Sequence, residues 1–67
     1  MKIQTVRFGT PVELANTTFT TIDIRVPKYG VTRMDYEDGI LTILLKDRKF
    51  LVFPANIAFM EPMATSK

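Results

Sequence analysis

The dipeptide Asp38-Gly39 constrains the fold most, because it stands between two apolar stretches and favours one kind of turn. A type I′ hairpin loop needs positive φ at both central residues, and Asp-Gly accepts that backbone at low cost. Directly opposed residues of the two flanking strands share one face of the sheet. The turn predicts four such pairs: Glu37 with Ile40, Tyr36 with Leu41, Asp35 with Thr42, and Met34 with Ile43.

A second hairpin is predicted within residues 46–49, with Asp47-Arg48 as its loop. This loop predicts two further pairs: Leu45 with Phe50, and Ile43 with Val52. The two hairpins then place their apolar residues on the same face, and a slip of one residue would move them to the opposite face. The predicted apolar face consists of Met34, Tyr36, Leu41, Ile43, Leu45, Phe50 and Val52.

The opposite face of the same three strands is polar at one end and apolar at the other. Its polar residues are Arg33, Asp35, Glu37 and Thr42, and its apolar residues are Leu44, Leu51 and Phe53. A half-exposed antiparallel sheet normally alternates apolar and polar residues. We therefore expect this apolar end to be covered, either by the rest of the chain closing a barrel or by a partner or second copy.

The rest of the chain predicts three more strands and one domain. Strands are expected at 3–8, 19–26, 31–37, 40–46, 49–53 and 57–61, with a loop over 12–18. Gly9-Thr10-Pro11 is expected to end the first strand, and Pro27 the second, because proline cannot donate to a sheet ladder. The domain is predicted to span 1–62, followed by a short polar tail at 63–67.

Composition excludes several chemistries. The 67 residues include no cysteine and no histidine, so disulfides, cysteine nucleophiles and the common zinc and triad sites are excluded. The acidic residues Asp35, Glu37 and Asp38 are typical of a solvated hairpin tip, and the three glycines lie in predicted turns rather than in a phosphate loop. We expect no enzyme, no cofactor and no bound metal. The longest apolar runs have four residues, so we expect a cytoplasmic protein with no membrane segment.

Residues 53–60 resemble the end of an SH3 domain. Phe53-Pro54-Ala55-Asn56-Ile57 is similar to the segment in which a proline and an asparagine make a short 3₁₀ turn before the last strand. The resemblance implies an all-β fold: a small five- to six-stranded antiparallel SH3-like barrel with a C-terminal meander, a 3₁₀ turn and a final strand. Ile57 stands where the family has a groove tyrosine, so recognition of proline-rich peptides is not expected.

The first functional hypothesis is a non-catalytic protein-interaction module that self-associates. A core of this size supplies only a few kcal/mol of net stability, and oligomerisation is the remaining way to bury more apolar area. The size of the chain also suggests an accessory or inhibitor protein of a phage or mobile element. The candidate interaction residues are Leu44, Leu51, Phe53 and Phe59.

The alternative hypothesis is nucleic-acid binding through a basic rim. The net charge of +2, from nine basic and seven acidic residues, gives it little support unless the cations are close together. A solvated, solubilising set of charges would have the same composition. The candidate residues are Arg25, Lys28, Tyr29, Arg33, Lys46, Arg48 and Lys49, with Tyr29 as a stacking platform.

Overall fold

The computed structural model describes residues 1–26 and 30–64, which form two three-stranded antiparallel sheets. One sheet has the strand order β2-β1-β6 and the other β3-β4-β5. A 3₁₀ helix, Pro54–Asn56, precedes the last strand, where the sequence resemblance implies one. Within the described residues the strands are β1 (Ile3–Leu14), β2 (Thr17–Asp23), β3 (Val31–Glu37), β4 (Ile40–Leu45), β5 (Arg48–Val52) and β6 (Ile57–Pro62).

The hairpin between β3 and β4 has the register that the sequence predicts. All four expected pairs are present, from Glu37 with Ile40 to Met34 with Ile43. The loop residues Asp38 and Gly39 have φ of 53° and 77°, as a type I′ turn requires.

The predicted register of the second hairpin is wrong by two residues. Its loop is Lys46-Asp47, with φ of 49° and 67°, and Leu45 pairs with Arg48 rather than with Phe50. Aspartate tolerates the left-handed backbone, and the Lys46 N–H donates to the Gly30 carbonyl at 3.2 Å, which holds the turn. Because side chains alternate with a period of two, a shift of two residues leaves every side chain on its predicted face.

The loop predicted over residues 12–18 is also wrong. β1 continues to Leu14, and a two-residue turn at Ala15-Asn16, with φ of 50° and 64°, returns the chain into β2. Between the pairs Arg7–Thr21 and Val12–Phe19, β1 advances five residues while β2 advances two. The Gly-Thr-Pro sequence therefore forms a large bulge that bends β1 instead of ending it.

The second strand ends at Asp23, earlier than the predicted residue 26. A carboxylate oxygen of Asp23 accepts the Arg25 N–H at 2.9 Å, and its carbonyl accepts the Val26 N–H at 2.9 Å. Aspartate thus turns the chain before the proline is reached. Pro27, which the sequence predicts to end this strand, lies outside the described residues.

One hydrophobic core joins the two sheets. Its residues are Ile3, Val6, Phe8, Leu14, Phe19, Ile22, Val31, Met34, Leu41, Ile43, Leu45 and Val52. The start of the chain links the sheets, because Lys2 bridges to Asp35 and the Tyr36 N–H donates to the Met1 carbonyl at 2.8 Å. Within the described residues no continuous strand ladder closes the two sheets into a barrel. No helix in residues 1–26 and 30–64 has the length and apolarity to cross a membrane.

Candidate interaction surface

The outer face of the β3-β4-β5 sheet carries the apolar residues that interrupt the sequence alternation. Opposed residues form two rows across it: Arg33, Leu44 and Lys49, and then Asp35, Thr42 and Leu51. Phe53 continues the outer side of β5 one step further, because its backbone stays extended with φ of −81° and ψ of 146°. The apolar residues thus concentrate along β5.

Leu51 and Phe53, here called the β5 patch, are the most exposed large apolar side chains of β5 and its continuation. Leu51 is 61% exposed and Phe53 67%, whereas Val52 between them is 6% exposed and belongs to the core. Leu44, on the central strand, is half-buried beside them. The alternation along β5 therefore leaves two large apolar groups in water on one side of the sheet.

The outward edge of β5 presents main-chain groups next to this patch. In a hairpin with a two-residue loop, the residues flanking the loop exchange both main-chain hydrogen bonds. Further along the strands, non-hydrogen-bonded and hydrogen-bonded pairs then alternate. Leu45 and Arg48 flank the loop here, so the N–H and C=O groups of Lys49 and Leu51 point away from β4. Within residues 1–26 and 30–64 no strand pairs with β5 on that side.

The opposite end of the same face is charged. Arg33 donates from Nε to a carboxylate oxygen of Asp35, and the two form an ion pair. Lys49 lines a shallow depression together with Asp35 and Glu37. The sheet face therefore has an acidic end on β3 and an apolar end on β5, with Lys49 beside both.

Phe59, the fourth residue proposed from the sequence, lies on the other sheet. It opposes Arg7 in the β1–β6 ladder, and the Arg7 guanidinium carbon lies 5.8 Å from the centre of its ring. Phe59 is 47% exposed and lines a shallow depression with Thr5, Arg7 and Thr21. The structure therefore does not bring Phe59 together with the β5 patch.

The outer side of that other sheet also carries a charged network. Asp23 accepts hydrogen bonds from the Arg25 side chain at 2.7 and 3.0 Å and from the Thr5 hydroxyl at 3.2 Å. The Arg25 side chain, followed by its main-chain N–H, holds the pKa of Asp23 well below its ordinary value. The Asp23 carboxylate on this face is thus satisfied within the chain.

The basic residues of the alternative hypothesis fall into two groups. Arg25 and Arg33 are ion-paired with Asp23 and Asp35. Lys46, Arg48 and Lys49 surround the β4–β5 turn, and the Arg48 guanidinium carbon lies 5.5 Å from the centre of the Phe50 ring. Lys28 and Tyr29 lie outside the described residues, so the structure places only part of the predicted rim.

Asn56, which sequence analysis treats as part of a chain-turning corner, acts as a clamp. Its Oδ1 accepts the Thr10 N–H at 3.0 Å and the Thr10 hydroxyl at 2.6 Å, and its Nδ2 donates to the Thr10 carbonyl at 3.3 Å. The side-chain amide thus pairs with the bulge of β1 as a neighbouring strand would. Asn56 links the 3₁₀ helix to β1.

Sequence analysis does not identify a second group of exposed apolar residues at the two ends of the chain. Met1 is 61% exposed and Met63 40%, and both line a depression with Lys2 and Pro62. The Met63 N–H donates to the Lys2 carbonyl at 3.0 Å, so the predicted tail begins with a residue held against the N-terminal strand. Met63 is the sequence signal for this group, because it is a large apolar residue in a segment that the sequence predicts to be a polar tail.

The chain matches no protein-family model, no curated protein and no solved structure. The candidate interaction surface is therefore described by its own geometry: an edge strand with outward main-chain groups, flanked by two exposed apolar side chains.

Proposed function

We propose that this chain is a non-catalytic protein-interaction module that self-associates through the outer side of β5. The observation that carries the proposal is the β5 patch, with Leu51 exposed by 61% on a strand at the edge of its sheet and Phe53 exposed by 67% directly after that strand. Native edge strands are normally protected by charges, bulges or a covering segment. Arg48 and Lys49 protect only the first half of β5.

The fold we propose is an SH3-like barrel with an interface of its own. Support comes from the meander of β3, β4 and β5 followed by a 3₁₀ helix and a strand that returns to β1. The SH3 peptide groove requires aromatic side chains, and Ile57 stands at the position of the groove tyrosine. The β5 patch is therefore a different kind of surface from that groove.

Burying the β5 patch contributes to the driving force for association. A fully buried leucine or phenylalanine contributes about 1.5 to 3 kcal/mol relative to an exposed one. Two copies that cover each other's patch would bury four such side chains, which offsets part of the cost of association. Because a core of this size leaves little net stability, association also stabilises the fold.

The test is the solution molar mass, measured by light scattering over a range of concentrations. The wild type should exceed the mass of one chain, and Leu51→Ser should lower the mass while the far-ultraviolet circular dichroism persists. Met63→Ser is the control, because it also removes an exposed apolar side chain but lies outside β5. If Leu51→Ser unfolds the chain at every concentration, this face is internal to the fold and the proposal is wrong.

Nucleic-acid binding is the second candidate, favoured by one observation: Lys46, Arg48 and Lys49 have no ion pair among the described residues. If they contact phosphates, replacing all three by glutamine should flatten the salt dependence of binding by about 0.7 to 0.9 per lost contact. We expect wild-type affinity no tighter than roughly 10⁻⁵ M at physiological salt, the range of non-specific binding. A salt-sensitive affinity below micromolar would place this function first.

A further inference from the structure

We propose that the partner of β5 is the β5 strand of a second copy, paired antiparallel about a two-fold axis at Leu51. This inference rests on the proposed self-association and adds the partner strand and its register. Pairing of this kind joins two β3-β4-β5 sheets into one six-stranded sheet, with the two β5 patches adjacent on its outer face.

The other sheet edges are less suited to pairing. The edge of β3 is occupied at Asp35 and Tyr36 by the first two residues of the chain. β6 ends in Glu61-Pro62, and a charge and a proline both discourage strand addition. The exposed residues of β2 are threonines, which offer little apolar area. Among the described residues, β5 and its continuation place two large exposed apolar side chains at an open edge, Leu51 and Phe53, whereas β6 places one, Phe59.

The register follows from the residues that point outward from β5. Lys49 and Leu51 direct their main-chain N–H and C=O groups to the open edge, and Phe53, two residues after Leu51, does the same. A two-fold symmetric ladder therefore pairs these three residues with the same three residues of the second copy. A centre at Lys49 opposes two lysines, which is unfavourable. A centre at Phe50 leaves Phe53 beyond the paired segment. A centre at Leu51 pairs every outward residue with a suitable counterpart.

In this register the charges and the apolar groups are complementary. Leu51 opposes Leu51, and each Lys49 opposes Phe53 of the other copy, which allows an ammonium group to lie over a ring. The two lysines are four residues apart along the strands, about 13 Å, and do not repel strongly. On the core side, Phe50 opposes Val52. The chain already places guanidinium groups against Phe50 and Phe59.

The length of the ladder is set by the 3₁₀ helix. Leu51 exchanges both of its main-chain hydrogen bonds with Leu51 of the second copy, and the Phe53 N–H donates to the Lys49 carbonyl. The Phe53 carbonyl already accepts the Asn56 N–H at 3.2 Å, and Pro54 has no N–H to donate. Pairing therefore ends at Phe53. Because the two-fold contact uses the β5 edge of both copies, the association closes as a dimer instead of growing into a fibre.

Single-cysteine variants test both the partner strand and the register. The chain has no cysteine, so a disulfide in a single variant must join two copies. Leu51→Cys should form a disulfide with itself under mild oxidation, because directly opposed residues of a ladder lie about 5.5 Å apart at Cα, within disulfide range. Lys49→Cys mixed with Phe53→Cys should form the mixed disulfide, while neither variant alone cross-links efficiently.

Thr42→Cys is the matched control, since it lies on the same face beside Leu51 but one strand further from the edge. We expect Leu51→Cys to cross-link at least about tenfold faster than Thr42→Cys, because pairing raises the effective thiol concentration. Equal rates for these two variants, or rapid self-linking of Lys49→Cys, would overturn the register.

The molar mass of the wild type and of Thr42→Cys before oxidation, both of which keep Leu51 and Phe53, separates this inference from the proposed function. A dimeric mass with a different cross-linking pattern refutes the β5 pairing and leaves self-association standing. A single-chain mass at every concentration refutes both. A dimeric mass with the expected pattern supports both.

Discussion

The two sheets differ in how completely the chain satisfies their outer faces. On the β2-β1-β6 sheet, Asp23 is bonded by Arg25 and Thr5, and the exposed ring of Phe59 lies against the Arg7 guanidinium. On the β3-β4-β5 sheet, the Arg33–Asp35 ion pair covers one end, and Leu51 and Phe53 remain exposed at the other. This difference is the reason that the proposed association is assigned to the β3-β4-β5 sheet.

Their construction differs as well. In the β3-β4-β5 sheet, the β4–β5 ladder keeps an unbroken register from Leu41 to Leu45, and an irregularity lies in β3 between Val31 and Arg33. The other sheet contains a bulge in β1 that Asn56 clamps from a distance of 46 residues in sequence. A regular sheet extends readily by another strand, whereas a bulge bends and twists the ladder beside it.

The core that both sheets share gives the largest expected effect. Ile43, on the central strand β4, is completely buried, so Ile43→Ala should reduce the free energy of unfolding by about 2 to 5 kcal/mol. Thr42→Ala is the control on the outer face of the same strand and should cost much less. Urea titration measures the free energy of unfolding of both variants. Equal losses would contradict the assignment of Ile43 to the core and of Thr42 to the outer face.

The turn of the regular sheet is the next test. At Gly39, with φ of 77°, a Cβ would meet no atom within 4 Å, so Gly39→Val should cost about 1 to 3 kcal/mol through backbone strain alone. Gly9→Ala, in the bulge of the other sheet, meets only ordinary contacts at 3.8 Å and should cost less. Thermal melting compares the two, and a Gly39→Val variant that melts with the wild type would contradict the type I′ turn.

The clamp of the irregular sheet should have a smaller effect. Asn56→Ala removes three hydrogen bonds to Thr10 at an exposed site, and we expect a loss of about 1 to 2 kcal/mol. Thr10→Val removes only the hydroxyl bond to Oδ1 and keeps the two main-chain bonds, so its loss should be smaller. If Thr10→Val destabilises the protein as much as Asn56→Ala, the main-chain bonds from Asn56 do not hold β1.

The charged network of the same sheet should produce the smallest effect, and only at certain pH values. The pKa of Asp23 is lowered in the folded state from an ordinary value of 3.8, mainly by the Arg25 side chain. The stabilisation that the ionised Asp23 provides is therefore fully present at pH values above the ordinary pKa, and it is lost as the pH falls through the lowered pKa of the folded state.

Comparison with Asp23→Asn measures this contribution. The wild type should be more stable than the variant by a constant amount between about pH 5 and 7, and the difference should narrow in more acidic solution. Thr5 supplies only one of the bonds to Asp23, so Thr5→Val should retain most of the pH dependence. A stability difference that grows as the pH falls would reverse the assigned direction of the shift.

Sequence reasoning succeeds where the local turn chemistry is unambiguous. Asp38-Gly39 identifies the first hairpin, whereas Lys46-Asp47 contains no glycine and its positive φ values are not apparent from residue type. Gly9-Thr10-Pro11 is typical of a strand end, and its role as a bulge depends on Asn56, which is distant in sequence. The exposed residues of β5 follow from strand alternation, but the separation of Phe59 from them depends on the sheet to which β6 belongs.

The most direct test of the account is the molar mass of two matched variants, Phe53→Ser and Phe59→Ser, measured by light scattering at several concentrations. Both remove an exposed phenylalanine, one beside β5 and one from the outer face of the other sheet. We predict that Phe53→Ser lowers the mass toward that of a single chain and that Phe59→Ser leaves it at the wild-type value. The reverse result would contradict the assignment of the interaction surface to β5.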